Sequence, residues 1–289
     1  MTKKTYLSLI LALVFSTIAL AQSTELPLIG NIYGRQDVTF LNGKWKYIID
    51  QQEIGFYDYR MKESPWGFFL DAHQKSPLEL VEYNFDTSPQ MNIPGDWNTQ
   101  DEQLFFYEGT VWFRKTFDWK KNTDKRTILY FGAANYEAVV YVNGVKQGKH
   151  IGGFTAFNFD ITDALKDGQN NVIVKVDNKR HPEGIPTQIF DWWNYGGITR
   201  DVMLVQMEKT FIQDYSIQLD KKNWQHIQGW IQLNEPKEGI ELSLDIPELK
   251  IAQKVVTDAQ GRAEISIKAK PQLWSPENPK LYAVKIAKG

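Results

Sequence analysis

The densest concentration of chemically capable side chains lies between Phe190 and Val202, in the run FDWWNYGGITRDV. Asp191 stands there among Trp192, Trp193 and Tyr195, just ahead of Gly196-Gly197, a pair that permits backbone geometry closed to other residues. A carboxylate accepts hydrogen bonds from sugar hydroxyls, and aromatic rings offer flat apolar faces on which sugar rings stack. The same residues have a structural use, with Asp191 capping a turn and the rings packed under the loop. Asp96, in Ile93-Pro94-Gly95-Asp96-Trp97, is a second carboxylate open to both readings, as a ligand contact or as the turn residue after Pro-Gly. Arg200 and Asp201 read as charges for a structural salt bridge between domains or strands.

Other chemistries lack their residues. The chain has no Cys, which excludes disulfides, thiolate metal sites, thiol nucleophiles and a lipidated cysteine. His73, His150, His181 and His226 show no metal-ligand spacing, and no Gly-rich strand-to-helix motif offers a phosphate cradle, so no cofactor is expected. The nucleophile elbow of serine hydrolases is absent too. A formal net charge of -2 gives no basic excess for nucleic acid or an anionic membrane.

Period-two alternation bounded by turn residues runs through the chain after its first residues, and no long helical periodicity appears, so the fold is read as all-β. Lys44 to Ile49, Thr110 to Phe117, Thr127 to Phe131 and Glu137 to Val142 read as strands, and Asn143-Gly144 as a type I′ hairpin turn. Phe157, Phe159 and Ile161 alternate with polar partners, as do Val172, Val174 and Val176 after the Asp167-Gly168 turn. These describe a jelly-roll sandwich over residues 22–207, closed by Val202 to Gln206. From 208 to 289 a second series of short strands, with turns at Asn234 to Gly239 and Asp258 to Gly261, suggests an immunoglobulin-like sandwich. Residues 54–90 read as a long decorated loop with one short helix. A last strand starts at Leu281 to Ile286, close to Gly289, so the chain is expected to be a piece of a longer polypeptide.

Taken in order, Leu41-Asn42-Gly43-Lys44-Trp45, Ile93 to Trp97, Gly109 to Arg114, Tyr141 to Gly144 and FDWWNYGGITRDV resemble the first two domains of family 2 glycoside hydrolases, the group of β-galactosidases, β-glucuronidases and β-mannosidases. Leu273 to Tyr282 is similar to the end of that family's immunoglobulin-like domain, just upstream of its (β/α)₈ barrel, which this chain lacks. The resemblance implies that Asp191 matches the family Asp that reaches from the jelly roll into the barrel's active site and hydrogen-bonds the terminal sugar. It aligns Asp96 with an Asn that touches substrate in β-galactosidases, and it implies no catalysis for Arg200 or Asp201. Trp192, Trp193 and Tyr195 are expected in the core. Asn234-Glu235-Pro236 imitates the family's Asn-Glu acid/base pair, but it lies in the second sandwich and reads as a solvent-exposed turn. The relatives carry both reactive carboxylates on barrel strands, so this chain is expected to hold no catalytic residue and to act only as the non-catalytic part of a retaining β-galactosidase or β-glucuronidase.

Lys3 and Lys4, the apolar run Tyr6 to Leu20 and Ala19-Leu20-Ala21 read as a signal peptide cleaved before Gln22, against the alternative of a membrane anchor. The protein is then exported, periplasmic or extracellular, with no membrane span after cleavage. The expected partners are an oligo- or polysaccharide and the protein's own C-terminal barrel; oligomeric state stays open, a homo-oligomer included. The rival reading, from another class, is a stand-alone carbohydrate-binding or adhesion module.

Overall fold

A computed structural model describes residues 27–55, 57, 60–63, 76–78 and 83–288. The signal-peptide reading and much of the 54–90 loop fall outside the described residues.

Hydrophobic alternation on antiparallel strands makes a sheet that is apolar on one face, and two such faces close on each other. The first sandwich follows that logic. One sheet has six strands in the order β3 (Gln90–Ile93), β2 (Gly43–Asp50), β5 (Thr110–Trp119), β10 (Gly168–Asp177), β7 (Glu137–Val142) and β8 (Val145–Ile151). The other runs β1 (Val38–Phe40), β12 (Val202–Glu208), β6 (Lys125–Phe131) and β9 (Phe157–Asp160). Val174 on β10 sits opposite Phe113 of β5 on one side and Val140 of β7 on the other, and all three join the core with Trp45, Leu129, Phe131 and Leu204.

Both sheets are also covered on their outer faces, a feature the alternation does not carry. Behind the six-stranded sheet, Ile48, Trp112, Tyr141 and Ile173 pack with Phe85. Behind the four-stranded sheet, Ile128, Met203 and Val205 pack with Ile29, Ile32 and Phe211. At the β7–β8 hairpin Asn143 and Gly144 have φ of 49° and 80°, the left-handed geometry that Asn-Gly tolerates and that a type I′ turn needs. The Asn143 amide also donates to Ala164 O at 2.8 Å, tying the hairpin to the loop before β10.

The chain crosses from β12 to β13 (Ile212–Leu219) through Lys209, Thr210 and Phe211. A three-stranded sheet of β13, β14 (His226–Leu233) and β17 (Arg262–Lys268) then faces a second of β16 (Ile251–Val256), β15 (Glu241–Ile246) and β18 (Lys285–Lys288). Ile231, Leu233, Leu242, Leu244 and Ile265 fill the space between them. The final strand starts at Lys285, four residues later than the sequence suggests. Tyr282 is drawn away instead, because its hydroxyl accepts from Gln272 N at 2.7 Å and so closes residues 271–284 into a loop rich in proline.

The crossing is held from both sides. Gly30 N donates to Gln213 O at 2.9 Å, and Arg35 Nη2 donates to Ile212 O at 2.8 Å. Asn234 accepts from Phe211 N at 2.7 Å and donates to Lys209 O at 3.0 Å, while Thr210 Oγ1 donates to Glu235. Asn234-Glu235 is thus a staple across the crossing. Glu235 is half-buried, so the expectation of a solvent-exposed turn is corrected: its carboxylate is turned onto the crossing by Thr210.

Candidate functional site at the loop end of the first sandwich

Two short strands anchor the site. β4 (Gly95–Asp96) pairs with β11 (Gly197–Ile198), Gly197 opposite Asp96, and Trp97 N donates to Gly196 O at 2.9 Å. The glycine pair is required here. A Cβ on Gly197 would lie 2.6 Å from Gly95 O, and one on Gly196 would lie 2.0 Å from Cζ2 of the fully buried Trp97. Gly196 therefore lies directly on the Trp97 ring.

Four buried asparagines fix that segment. Asn98 accepts from Gly196 N at 2.9 Å and donates to Leu104 O at 2.9 Å and Tyr107 O at 3.2 Å. Asn135 donates to Tyr195 O at 2.5 Å and to Asn194 Oδ1 at 3.1 Å. Asn178 and Asn194 each donate from the side-chain amide to the other's carbonyl, and Asn178 also accepts from Gly109 N at 2.8 Å. An amide carries both donors and acceptors, which makes it suited to closing loops whose backbone groups lack ladder partners. Asn194 lies within the motif that the sequence singles out; Asn135 and Asn178 carry no sequence signal, since single loop asparagines are ordinary.

Above this floor is a cavity of about 280 Å³, lined by Asp191 with Phe190, Trp192 and Trp193 on one side and by Phe106, Glu108 and Arg180 on the other. Phe105, Phe106 and Trp193 form a three-ring cluster with centroids 4.8–5.3 Å apart. Phe106 is 80 % exposed, Trp192 54 %, Tyr195 47 % and Trp193 38 %. The expectation that Trp192, Trp193 and Tyr195 lie in the core is corrected: Trp97 and the asparagines already occupy the space beneath, so these rings face outward. Asp191 is exposed as well, and among the described residues no side chain or backbone group bonds its carboxylate. Burial pushes the neighbouring Tyr107 hydroxyl well above its ordinary pKa, against the opposing effect of its hydrogen bond to Thr110 O at 2.9 Å.

Asp96 is placed differently. It is the N-cap of the short helix Trp97–Gln100, accepting from Thr99 N at 2.8 Å and Thr99 Oγ1 at 2.9 Å, and it does not line the Asp191 cavity. Asp96→Ala is expected to cost about 1 kcal/mol in urea denaturation, and Asp96→Ser, which keeps an acceptor for Thr99 N, to recover most of it. Equal losses from the two variants would contradict the capping role.

Among the described residues, neither Arg200 nor Asp201 forms the expected salt bridge between domains or strands. Asp201 accepts from the Tyr33 hydroxyl and from Asn42 Nδ2, each at 2.8 Å, while Arg200 turns to Phe154 O at 3.4 Å. Adjacent residues near a strand start point to opposite faces, which separates the two charges. The hydrogen bond to Asp201, with smaller help from burial, pushes the Tyr33 hydroxyl up to about 12. Among the described residues no group of three or more His, Asp or Glu side chains is placed to hold a metal, and no helix is long and apolar enough to cross a membrane.

A jelly-roll sandwich followed by an immunoglobulin-like sandwich, with a carboxylate set among outward-facing rings at the loop end of the first, defines the class of protein. Its family follows from comparison. The sugar binding domain of glycosyl hydrolases family 2 matches residues 38–208, and a second module of glycosyl hydrolases family 2 matches residues 210–288. The chain belongs to glycosyl hydrolases family 2. It is 32 % identical over 255 residues to a putative β-glucuronidase of Formosa agariphila, covering 80 % of this chain and 30 % of the relative. It is 33 % identical over 237 residues to a β-galactosidase of Thermoanaerobacter pseudethanolicus, covering 75 % of this chain and 31 % of the relative. Among solved structures, a β-glucuronidase of an uncultured Clostridium sp. superimposes with a TM-score of 0.68 at 25 % identity, over 92 % of this chain and 45 % of the other. The β-glucuronidase of Bifidobacterium dentium, complexed with coumarin-3-O-glucuronide, superimposes with a TM-score of 0.70 at 22 % identity, over 88 % of this chain and 46 % of the other. This chain thus spans less than half the length of each of these relatives.

Proposed function

We propose that this chain is the sugar-binding and supporting part of an exported glycosidase that removes a terminal β-linked glucuronic acid or galactose by a retaining mechanism. The observation that carries the reading is Asp191, a carboxylate with no partner among the described residues, held in a cavity among exposed rings by a segment bonded at Phe190 on one end and at Tyr195 and Gly196 on the other. A carboxylate in that state accepts hydrogen bonds from the hydroxyls of the terminal sugar, and the ring faces beside it cover apolar sugar edges. Two further carboxylates, roughly 5 Å apart on a barrel supplied by additional chain, carry out the reaction. One protonates the glycosidic oxygen as the other attacks the anomeric carbon, so that the glycosidic C–O bond breaks and the alcohol departs; water, giving its proton to the first carboxylate, then displaces the second and releases the sugar. The second carboxylate in this cavity, Glu108, is engaged by Arg180 Nε at 2.9 Å, which disfavours a complete acid pair here.

The 289-residue chain is expected to leave aryl β-glucuronides and β-galactosides intact, whereas the longer protein hydrolyses one of them. Turnover by the short chain that Glu235→Gln abolishes would overturn the reading. The exposed rings Phe106 and Trp192 favour one rival, a free-standing carbohydrate-binding module. Calorimetric titration of the short chain with oligosaccharides separates the two: the enzyme part is expected to bind weakly, and tight binding would support the rival.

A further inference from the structure

Arg180 follows β10 and lies 11 residues before Asp191 in sequence, yet its guanidinium reaches both sides of that residue. Nη1 donates to Phe190 O at 3.1 Å and Nη2 to Trp192 O at 3.3 Å, the carbonyls that flank Asp191 on either side. The third edge is also held, Nε donating to Glu108 Oε1 at 2.9 Å at the entry to β5. The Arg180 side chain is 19 % exposed, while all three of its bonds lie at the protein surface. The main chain is therefore clamped before and after Asp191, while among the described residues the carboxylate between has no partner. The cation grips the backbone of the two residues on either side of Asp191 and does not bond its carboxylate.

We propose that Arg180, braced by Glu108, is the positioning residue that aims Asp191 at the sugar. The inference rests on the reading of Asp191 as a sugar contact. The planar fork of arginine is essential to it, because one guanidinium spans two carbonyls and a carboxylate in a fixed geometry that a lysine ammonium does not reproduce.

The test uses the longer enzyme and a double-mutant cycle between positions 180 and 191, read in kcat/KM for the aryl glycoside that it hydrolyses. Arg180→Met is expected to lower kcat/KM by about tenfold, since a misplaced binding group loses much of its effect. Arg180→Lys should not restore it. In the Asp191→Ala background Arg180→Met should cost almost nothing further, because its target has gone. Glu108→Gln, whose amide oxygen still accepts from Nε, should retain more activity than Glu108→Ala, and this pair stands in should the Arg180 variants fail to fold. Losses that multiply across the cycle, or equal losses from the two Glu108 variants, overturn the positioning role while leaving the Asp191 reading in place. An Asp191→Ala enzyme with unchanged kcat/KM overturns both.

Discussion

Asp191→Ala in the longer enzyme lowers kcat/KM by roughly tenfold to a hundredfold, with thermal stability unchanged. A hydrogen bond to a charged group contributes about 1.5–3 kcal/mol, and each 1.36 kcal/mol corresponds to a factor of ten in rate. The stability half of the expectation follows from the site: Asp191 is exposed and its carboxylate has no protein partner among the described residues, so removing it leaves no buried group unsatisfied. Steady-state kinetics alongside thermal denaturation measures both halves. An unchanged kcat/KM would take Asp191 out of the site; a large drop in melting temperature would make it the turn cap that its sequence context also allowed.

Gly196→Ala has the larger structural effect. The added methyl would lie 2.0 Å from Cζ2 of Trp97 and 2.4 Å from Cε2 and Cη2. That ring has no room to retreat, since it is fully buried, stacks on Phe113 with centroids 6.4 Å apart and donates from Nε1 to Tyr107 O at 3.2 Å. Overpacking of this kind costs about 3 kcal/mol, the upper part of its usual range, or some 6–12 °C in melting temperature for a chain of this size. The displaced segment also carries Asp191, so the longer enzyme loses activity together with stability. Trp97→Phe removes the benzo edge of the ring, and Gly196→Ala should cost less in that background. Equal costs in the two backgrounds would place the conflict elsewhere.

What the sequence made legible was local. Asn143-Gly144 announced its hairpin because positive φ at both positions is a property of the residues themselves, and Val172, Val174 and Val176 announced a strand because alternation needs no partner to be seen. Trp112 and Phe113, adjacent on β5, are both fully buried, which alternation cannot express; the cover over Trp112 comes from Phe85, far along the chain. The same limit governed the site. Motif residues placed Asp191 beside rings and two glycines, but whether those rings point in or out was decided by Trp97, which already fills the space below them. The clamp by Asn135, Asn178 and Arg180 is a matter of three-dimensional closure and leaves no spacing to read.

The most direct measurement is a crystal structure of the longer protein with an unhydrolysed sugar bound. The expected result is a terminal sugar hydroxyl at roughly 2.5–3.0 Å from the Asp191 carboxylate, with the proton donor and the attacking acid both contributed from outside residues 1–289. A sugar bound away from Asp191, or a facing pair of reactive acids drawn wholly from these two sandwiches, would contradict it.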